Sequence, residues 1–316
     1  MAGPEEVRFL AGDAMLAGTL QLPGGAGRFP NVLLLPSYLA RDRDGSWDRG
    51  GHPAWFAPAQ QPGLLARLAA ALAERGVASL RYDKRGCGRS DGAWERSDLF
   101  TLIDDARDAL GWLRGRRELD LRRTGLIGHG EGAAIAISVA IGDPVIGALT
   151  LAGGAARSWR DVLRRGVAER LRTGIDRDHA LVSAVDRAAE ELIEAADRRE
   201  PSRVLHVGGM EAIELNLAAW EQAIHTPPLA LASMLHRSVT LVHGEADAWV
   251  DRDEGRLVQA TLASTGNRPA LHLVPGAGHD LEEASRQLIG ELADELAARL
   301  RPRELPPVLL AIEEMG

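Results

Sequence analysis

An acidic residue and a histidine stand just past two strand-like runs in the second half of the chain. Asp247 follows the apolar run at 239–243, and His279 follows the run at 271–274. In open sheets of parallel strands, ligands bind beyond the carboxyl ends of the strands. A carboxylate that orients an imidazole there equips it to take up or deliver a proton. The sequence therefore predicts a catalytic pair of His279 and an acid in the segment 241–247, with Asp251 as the alternative acid.

A glycine-rich turn at 128–132, Gly-His-Gly-Glu-Gly, lies between an apolar run and an Ala-rich helical segment at 131–141. Its spacing also satisfies the dinucleotide pattern G-x-G-x-x-A, which requires an acidic residue at the end of the next strand. Residues 152–156, where that acid belongs, read Ala-Gly-Gly-Ala-Ala. We therefore expect no dinucleotide. No cofactor or metal is predicted either, because no close group of His, Asp and Glu has the spacing of metal ligands.

These motifs resemble those of the α/β-hydrolase superfamily, in particular its bacterial esterase and serine-peptidase-like branch. The turn at 128–132 matches the G-x-S-x-G nucleophile elbow, with Gly130 in place of the serine. The segment 80–90, Leu-Arg-Tyr-Asp-Lys-Arg-Gly-Cys-Gly-Arg-Ser, is similar to the strand and turn that many members carry before the elbow. The order elbow, acid, histidine is also that of the superfamily. The resemblance covers roughly residues 7–300.

The resemblance implies a role for each matching residue. Gly130 takes the nucleophile position, Asp247 matches the triad acid, and His279 matches the triad base. The backbone N–H of Glu131 matches one donor of the oxyanion hole. Because position 130 has no hydroxyl, the usual acyl-enzyme route has no nucleophile at the elbow.

A second departure from the superfamily pattern follows the apolar run at 33–36. Related esterases have a glycine-rich turn here that supplies the other oxyanion N–H, and some continue with Asp-Arg-Asp-Gly. This chain reads Ser-Tyr-Leu-Ala-Arg at 37–41 before Asp-Arg-Asp-Gly at 42–45. Motif position places Ser37 and Tyr38 at the pocket, as shaping residues or as proton donors. His129 and Glu131 complete the predicted pocket, and two altered turns favour natural divergence over one engineered change.

Strand-like and helix-like segments alternate along most of the chain. This alternation predicts an α/β-hydrolase fold whose mostly parallel sheet is covered by helices on both faces. From 158 to 236 only helical patterns are found, as at 180–196 and 211–224. A helical cap inserted between two strands is the main interpretation, and one more layer of surface helices is the alternative. The expected division is a core at 1–157 and 237–300, a helical cap at 158–236 and a C-terminal tail at 301–316.

Composition limits the classes of partner. The 316 residues carry a formal net charge of −8, which argues against a nucleic-acid-binding face. No apolar run reaches the roughly 18–20 residues of a membrane span, and the first residues lack a signal-peptide pattern. Cys87 is the single cysteine, so no internal disulfide is expected. We expect a cytoplasmic protein with a small-molecule substrate and neither nucleic acid nor membrane as partner, and a homodimer stays an open alternative.

The expected function is atypical for the superfamily. His279 and Asp247 would perform general acid–base chemistry without a serine nucleophile on a small to medium organic substrate, such as a biosynthetic intermediate. Isomerisation, cyclisation, epimerisation, elimination and direct attack by water all fit this arrangement. Two alternatives stay open. One is a serine esterase or peptidase-type hydrolase whose nucleophile has been replaced by glycine, and the other is a non-catalytic ligand-binding protein.

Overall fold

A computed structural model describes residues 3–38, 40–46, 63–162, 164–165, 179–205, 213–217, 227–247 and 249–301. The strands are β1 (Glu5–Ala11), β2 (Ala14–Gln21), β3 (Phe29–Leu35), β4 (Ala78–Tyr82), β5 (Leu119–His129), β6 (Ile146–Ala152), β7 (Ser202–Leu205), β8 (Ile213–Asn216), β9 (Ser238–Gly244) and β10 (Ala270–Val274). Eight of them form one sheet in the order β1-β2-β4-β3-β5-β6-β9-β10. β2 pairs antiparallel with β1 and with β4, and the other pairs are parallel.

Helices cover both faces of this sheet, as the alternating pattern predicts. The helices are α1 (Leu64–Glu74), α2 (Leu99–Arg114), α3 (Glu131–Gly142), α4 (His179–Asp197), α5 (Pro228–Ala232), α6 (Arg252–Ser264) and α7 (Arg286–Arg299), with a 3-10 turn at Trp94–Arg96. Val32 and Leu34 of β3 belong to a buried cluster with residues of α1 and α7, whereas Leu33 and Leu35 belong to a second cluster with residues of α2, α3 and α6. Successive side chains of a strand point to opposite faces, so a strand buried on both faces is apolar throughout. The predicted fold class is confirmed.

The stretch between β6 and β9 holds both helix and strand in its described part. α4 agrees with the helical pattern at 180–196. β7 and β8 pair antiparallel, however, so the expectation of helices alone at 158–236 is wrong. Residues 213–216 read Ile-Glu-Leu-Asn, an alternation with the period of a strand. The positions 218–224 and the tail at 302–316 lie outside the described residues, and the domain boundaries stay predictions.

The last predicted helix begins later than expected. The sequence pattern predicts helix from 281 to 300, whereas α7 starts at Arg286 with Ser285 as its N-cap. The Ser285 side chain accepts a hydrogen bond from the N–H of Leu288 at 3.1 Å. Leu281 has a φ of +52°, which a helix does not allow. Among the described helices, none is both long and apolar enough to cross a bilayer.

The turn after β3 is held by half-buried polar side chains. Oδ1 of Asp42 accepts hydrogen bonds from the backbone N–H groups of Asp44 and Ser46, each at 2.9 Å. The guanidinium of Arg43 binds Asp83 at the end of β4, with an Nη2–Oδ2 distance of 2.7 Å. The turn is thereby tied to itself and to the neighbouring strand.

Replacing Asp42 with asparagine tests the charge buried in this turn. Burial raises the pKa of Asp42 to about 6, whereas an aspartate in an unfolded chain titrates near about 3.9. The folded protein therefore binds this proton more tightly than the unfolded chain. The linked stability is present below about pH 4 and is lost as the pH rises through about 6. Asp42→Asn keeps an acceptor and removes the charge, so we expect its melting temperature to exceed that of the wild type at pH 8 and to match it at pH 4.

The control for this experiment is Asp104→Asn on α2, since the side chain of Asp104 is 67% exposed. Thermal unfolding at the two pH values measures the effect. An equal difference between Asp42→Asn and wild type at both pH values would contradict a buried charge at Asp42.

Candidate active site

Gly130 forms the tip of the turn between β5 and α3. Its φ is +53°, a conformation that glycine adopts without strain. A Cβ atom at this position would lie 2.1 Å from Oγ of Ser37 and 2.9 Å from Nε2 of His279. The space that a side chain at 130 would require is therefore occupied by the hydroxyl of Ser37.

Ser37, His279 and Asp247 form a continuous hydrogen-bonded relay. Oγ of Ser37 lies 2.9 Å from Nε2 of His279, and Nδ1 of His279 lies 2.8 Å from Oδ2 of Asp247. Because a carboxylate only accepts, Nδ1 carries the proton, and Nε2 of the neutral ring accepts from the serine hydroxyl. The sequence predicts that His279 acts without a serine nucleophile and places Ser37 at the pocket as a shaping residue or proton donor; the structure brings the Ser37 hydroxyl within hydrogen-bond distance of His279. The hydroxyl comes from the turn after β3 instead of the turn after β5.

The carboxylate of Asp247 is buried and fully engaged. Its Oδ1 accepts hydrogen bonds from the N–H groups of Trp249 and Val250, both at 2.9 Å. Its Oδ2 also lies 3.5 Å from Nε2 of His243. Burial alone would raise the pKa of Asp247, but His279 and His243 hold it well below its usual range. Asp247 is therefore ionised at neutral pH and favours a protonated imidazole beside it.

The alternative acid, Asp251, has a different role in the structure. It is the N-cap of α6, and its Oδ1 accepts from the N–H of Asp253 at 2.7 Å. The carboxylate in contact with His279 Nδ1 is therefore that of Asp247.

Opposing charges set the protonation of His279. Burial would lower the pKa of this imidazole, and Arg41 acts in the same direction. The carboxylates of Asp247 and Asp280 outweigh both effects, so the pKa of His279 lies above its usual value. The neutral form of His279, which can accept a proton, therefore becomes the main form only at a higher pH than in a free imidazole.

The predicted pocket residues His129 and Glu131 contact the residues of the relay or their backbone neighbours. His129 is fully buried, lies 4.9 Å from the His279 ring between centroids, and donates from Nε2 to the backbone oxygen of His279 at 2.8 Å. Burial lowers the pKa of His129 to about 3, which keeps it neutral. Oε2 of Glu131 binds Nζ of Lys84 at 2.7 Å, and the same ammonium donates to the backbone oxygen of Ser37 at 3.2 Å. The N–H of Glu131 lies in the first turn of α3, where helical N–H groups have no acceptor within the helix.

Tyr38 begins an apolar cover over the relay. Its ring meets Trp159 edge-on with centroids 4.3 Å apart and lies 5.9 Å from the ring of His279. The cluster contains apolar residues from the segment after β6 and from the loop that carries Asp247: Ala155, Trp159, Val162, Trp249 and Val250. Ser37 is 0% exposed beneath this cover.

Sequence reasoning missed three charged residues that hold the loops of the relay in place: Arg41, Lys84 and Asp280. Arg41 and Asp280 form a buried ion pair with an Nη2–Oδ1 distance of 2.9 Å. Asp280 directly follows His279, and this adjacency is the one sequence signal that could have singled it out. Arg41 and Lys84 carry no such signal, because each lies in a turn whose neighbours in space are distant in sequence.

His129, His279 and Asp280 bring possible metal-ligand atoms within 4.8 Å of one another, the one such group among the described residues. Nδ1 of His129 has no hydrogen-bond partner among the described residues, but the ring nitrogens of His279 already have partners. Both ring nitrogens of His279 contact Ser37 or Asp247, and Oδ2 of Asp280 accepts from Arg41 at 3.1 Å. A metal ion here would have to break the relay, so the arrangement favours proton transfer.

A family model described as Alpha/beta hydrolase family matches residues 32–295, which include all three members of the relay. Among solved structures, Est1E from Butyrivibrio proteoclasticus with bound ferulic acid superimposes with a TM-score of 0.64. The match covers 92% of this chain and 99% of that one at 16% identity. At this identity the similarity shows the fold alone.

Curated proteins match a shorter part of the chain. An uncharacterized protein of Mycobacterium tuberculosis is 38% identical over 81 residues, which is 26% of this chain and 28% of that protein. The acyltransferase drtE of Aspergillus calidoustus is 36% identical over 77 residues, 24% of this chain and 25% of that protein. The chain thus spans about a quarter of the length of the curated relatives that it matches.

Gly130→Ala tests the shared space of positions 37 and 130. A Cβ at Gly76 would meet nothing within 4 Å although its φ is +74°, so Gly76→Ala is a control for a positive φ without a steric clash. In the left-handed helical region a side chain costs roughly 1–2 kcal/mol. We expect Gly130→Ala to lose more free energy of unfolding than Gly76→Ala, because its methyl group also meets the Ser37 hydroxyl and its ψ of −114° lies outside the left-handed helical region.

Urea denaturation of both variants measures the difference. Equal destabilisation in both variants would show that the hydroxyl of Ser37 does not occupy this space.

Proposed function

The chain belongs to the alpha/beta hydrolase family, and we propose that it is an acyl-transferring enzyme whose nucleophile is Ser37. His279 is the general base in this proposal, and Asp247 orients it. The contact of 2.9 Å between Ser37 Oγ and His279 Nε2 is the observation that carries the proposal. It supplies the hydroxyl that the elbow lacks, in the space that Gly130 leaves open.

The proposed reaction begins with attack of Ser37 Oγ on the carbonyl carbon of an ester. Nε2 of His279 takes the hydroxyl proton, and the carboxylate of Asp247 stabilises the resulting imidazolium. Collapse of the tetrahedral adduct breaks the bond to the leaving group, which receives that proton, and leaves the acyl group on Ser37. Water or another acceptor then gives its proton to His279, attacks the same carbonyl carbon and releases the acyl group, and the proton returns to Ser37.

The N-terminus of α3 supports stabilisation of the oxyanion. Gly130 and Glu131 open this helix, and its first N–H groups carry the positive end of the helix dipole. The N–H of Glu131 is our candidate donor to the oxygen that becomes negative in the adduct. In serine enzymes one such donor lowers the activation free energy by roughly 2.7–4 kcal/mol.

The apolar cover supports esters of apolar or aromatic acids as the small-molecule substrate class. Tyr38, Trp159 and Val162 surround the relay with rings and aliphatic groups, which bind an acyl chain better than a charged group. A relative named as an acyltransferase fits the same covalent intermediate with an acceptor other than water. Hydrolysis is the simplest form of the proposed reaction.

The alternative of a hydrolase disabled at position 130 has less support. A serine at 130 would place its Cβ 2.1 Å from Ser37 Oγ, so Ser37 would have to leave its observed position beside His279. Ser37 and Gly130 fit together as one arrangement, which supports natural divergence.

Ser37→Ala tests the nucleophile. We expect this variant to lose turnover of a p-nitrophenyl ester by about 10³-fold or more, because no acyl-enzyme can form. A fluorophosphonate probe should label the wild type at the peptide that contains Ser37, as read by mass spectrometry, and should not label the variant. The control is Ser79→Ala, a buried serine on β4, which should keep both turnover and labelling.

Two results would overturn the proposal. Labelling at another residue in the Ser37→Ala variant would place the nucleophile elsewhere. Turnover without any labelling of the wild type would favour acid–base chemistry by His279 and Asp247, with Ser37 as a proton carrier.

The pH dependence of turnover tests the base. The raised pKa of His279 means that the neutral form appears at a higher pH than in a free imidazole, whose pKa is about 6.5. We expect kcat/KM to rise with pH through a midpoint above that value. Asp247→Asn removes the carboxylate that favours the imidazolium, so it should lower both the rate and the midpoint. A wild-type midpoint below pH 6 would contradict His279 as the base in this environment.

A further inference from the structure

Ser37 and His279 lie on different loops, and their contact depends on what joins those loops. Ser37 follows β3 and His279 follows β10, and these strands are separated in the sheet by β5, β6 and β9. A nucleophile at the elbow would be held by its own strand and helix. A nucleophile on the turn after β3 needs other contacts to keep its register with the histidine.

One buried ion pair joins these two loops directly. Nη2 of Arg41 lies 2.9 Å from Oδ1 of Asp280, and Nη1 donates to Oδ2 at 3.1 Å. The side chains are 2% and 12% exposed. The same guanidinium donates to the backbone oxygens of Tyr38 at 3.3 Å and Gly45 at 3.0 Å, so it also holds the turn in shape.

Asp280 is tied equally closely to the histidine. It directly follows His279 in the chain, and its Oδ1 lies 3.8 Å from Nε2 of His129. That nitrogen in turn donates to the backbone oxygen of His279 at 2.8 Å. The guanidinium of Arg41 therefore links the residue after Ser37 to the residue after His279.

We propose that Arg41 and Asp280 are a positioning pair, which holds the turn carrying Ser37 against the loop carrying His279 and places one charge of each sign beside the imidazole. A buried ion pair is seldom more stabilising than well-packed apolar residues of similar size, so a pair at this place is better explained by position than by stability. The inference rests on the proposed function for the part that concerns Ser37. The effect of the two charges on His279 does not depend on it.

The charges that face His279 predict an unusual signature. Asp247 and Asp280 favour its charged form and Arg41 opposes it, while His129 is neutral and Tyr38 is a buried phenol. Asp280→Asn removes one favouring charge and leaves Arg41, so the pKa of His279 should fall. Arg41→Met removes the opposing charge and leaves Asp280, so the pKa of His279 should rise.

The experiment measures kcat, KM and the pH midpoint for Arg41→Met, Asp280→Asn and the double variant. We expect opposite shifts of the midpoint in the single variants and a midpoint near that of the wild type in the double variant. We expect kcat to fall at least about tenfold in all three, with a smaller change in KM, because the apolar cover is untouched. We expect the double variant to be more stable to unfolding than either single variant, because no unpaired charge is left buried, while its kcat stays low. This difference separates a positioning role from a role in folding.

The matched control is Asp105→Asn on α2. Asp105 is 1% exposed and pairs with Arg85 at 2.8 Å, so its loss also breaks a buried ion pair. This variant should lose stability and keep both kcat and the pH midpoint. A double variant with wild-type kcat, or single variants whose midpoints move in the same direction, would overturn the inference.

NMR titration of the His279 ring separates this inference from the proposed function. It reads the pKa of the imidazole without turnover and also works in a Ser37→Ala background. Opposite shifts there, together with no acyl-enzyme in the otherwise wild-type chain, would overturn the nucleophile and leave the effect of the pair on His279 standing. Acyl-enzyme formation without opposite shifts would overturn the positioning pair alone.

Discussion

The contact between Ser37 Oγ and His279 Nε2 occupies the space that a Cβ at position 130 would need. The backbone of the turn is nevertheless that of a tight elbow. A Cβ at Gly128 would lie 2.2 Å from the backbone oxygen of Gly132, and one at Gly132 would lie 2.4 Å from that of Leu35. These close approaches require glycine on both sides of Gly130. The sharp strand-to-helix turn is therefore kept as a scaffold, and the start of α3 stays next to the relay while the hydroxyl comes from another strand.

A serine on the turn after β3 depends on side chains for its position. Lys84 bridges the backbone of Ser37 and the carboxylate of Glu131, and Arg43 binds Asp83 at the end of β4. Burying such charges costs free energy that their mutual attraction returns only when geometry and hydrogen bonds are good. The residues that hold the relay in place are thus joined by ion pairs. Removal of one partner from such a pair leaves the other as an unpaired buried charge. A nucleophile at a strand-to-helix elbow needs less of this support, because its own backbone is held by a strand and a helix.

Much of this arrangement can be predicted from the sequence. Period and order of the apolar runs indicate the mostly parallel sheet, and strand ends indicate Asp247, His279 and Gly130. The partnership of Ser37 with His279 cannot be read in the same way, because the two residues are 242 positions apart and the pattern does not say which strands are neighbours. The pairing of β7 with β8 is not predicted for a local reason: four alternating residues inside an otherwise helical pattern are too few to outweigh that pattern.

Sheet topology explains how a hydroxyl can serve the same histidine from either turn. β3 and β5 are parallel neighbours, and Leu35 pairs with Gly128 where the two strands end. Ser37 and Gly130 each follow that pair by two residues, so their turns leave the sheet side by side at its carboxyl edge. His279 and Asp247 reach this edge from β10 and β9, also parallel neighbours. The positions of Asp247 and His279 therefore do not depend on which of the two neighbouring turns supplies the hydroxyl. The shared edge of the sheet brings these groups together, and the glycine at position 130 leaves the space that the Ser37 hydroxyl occupies.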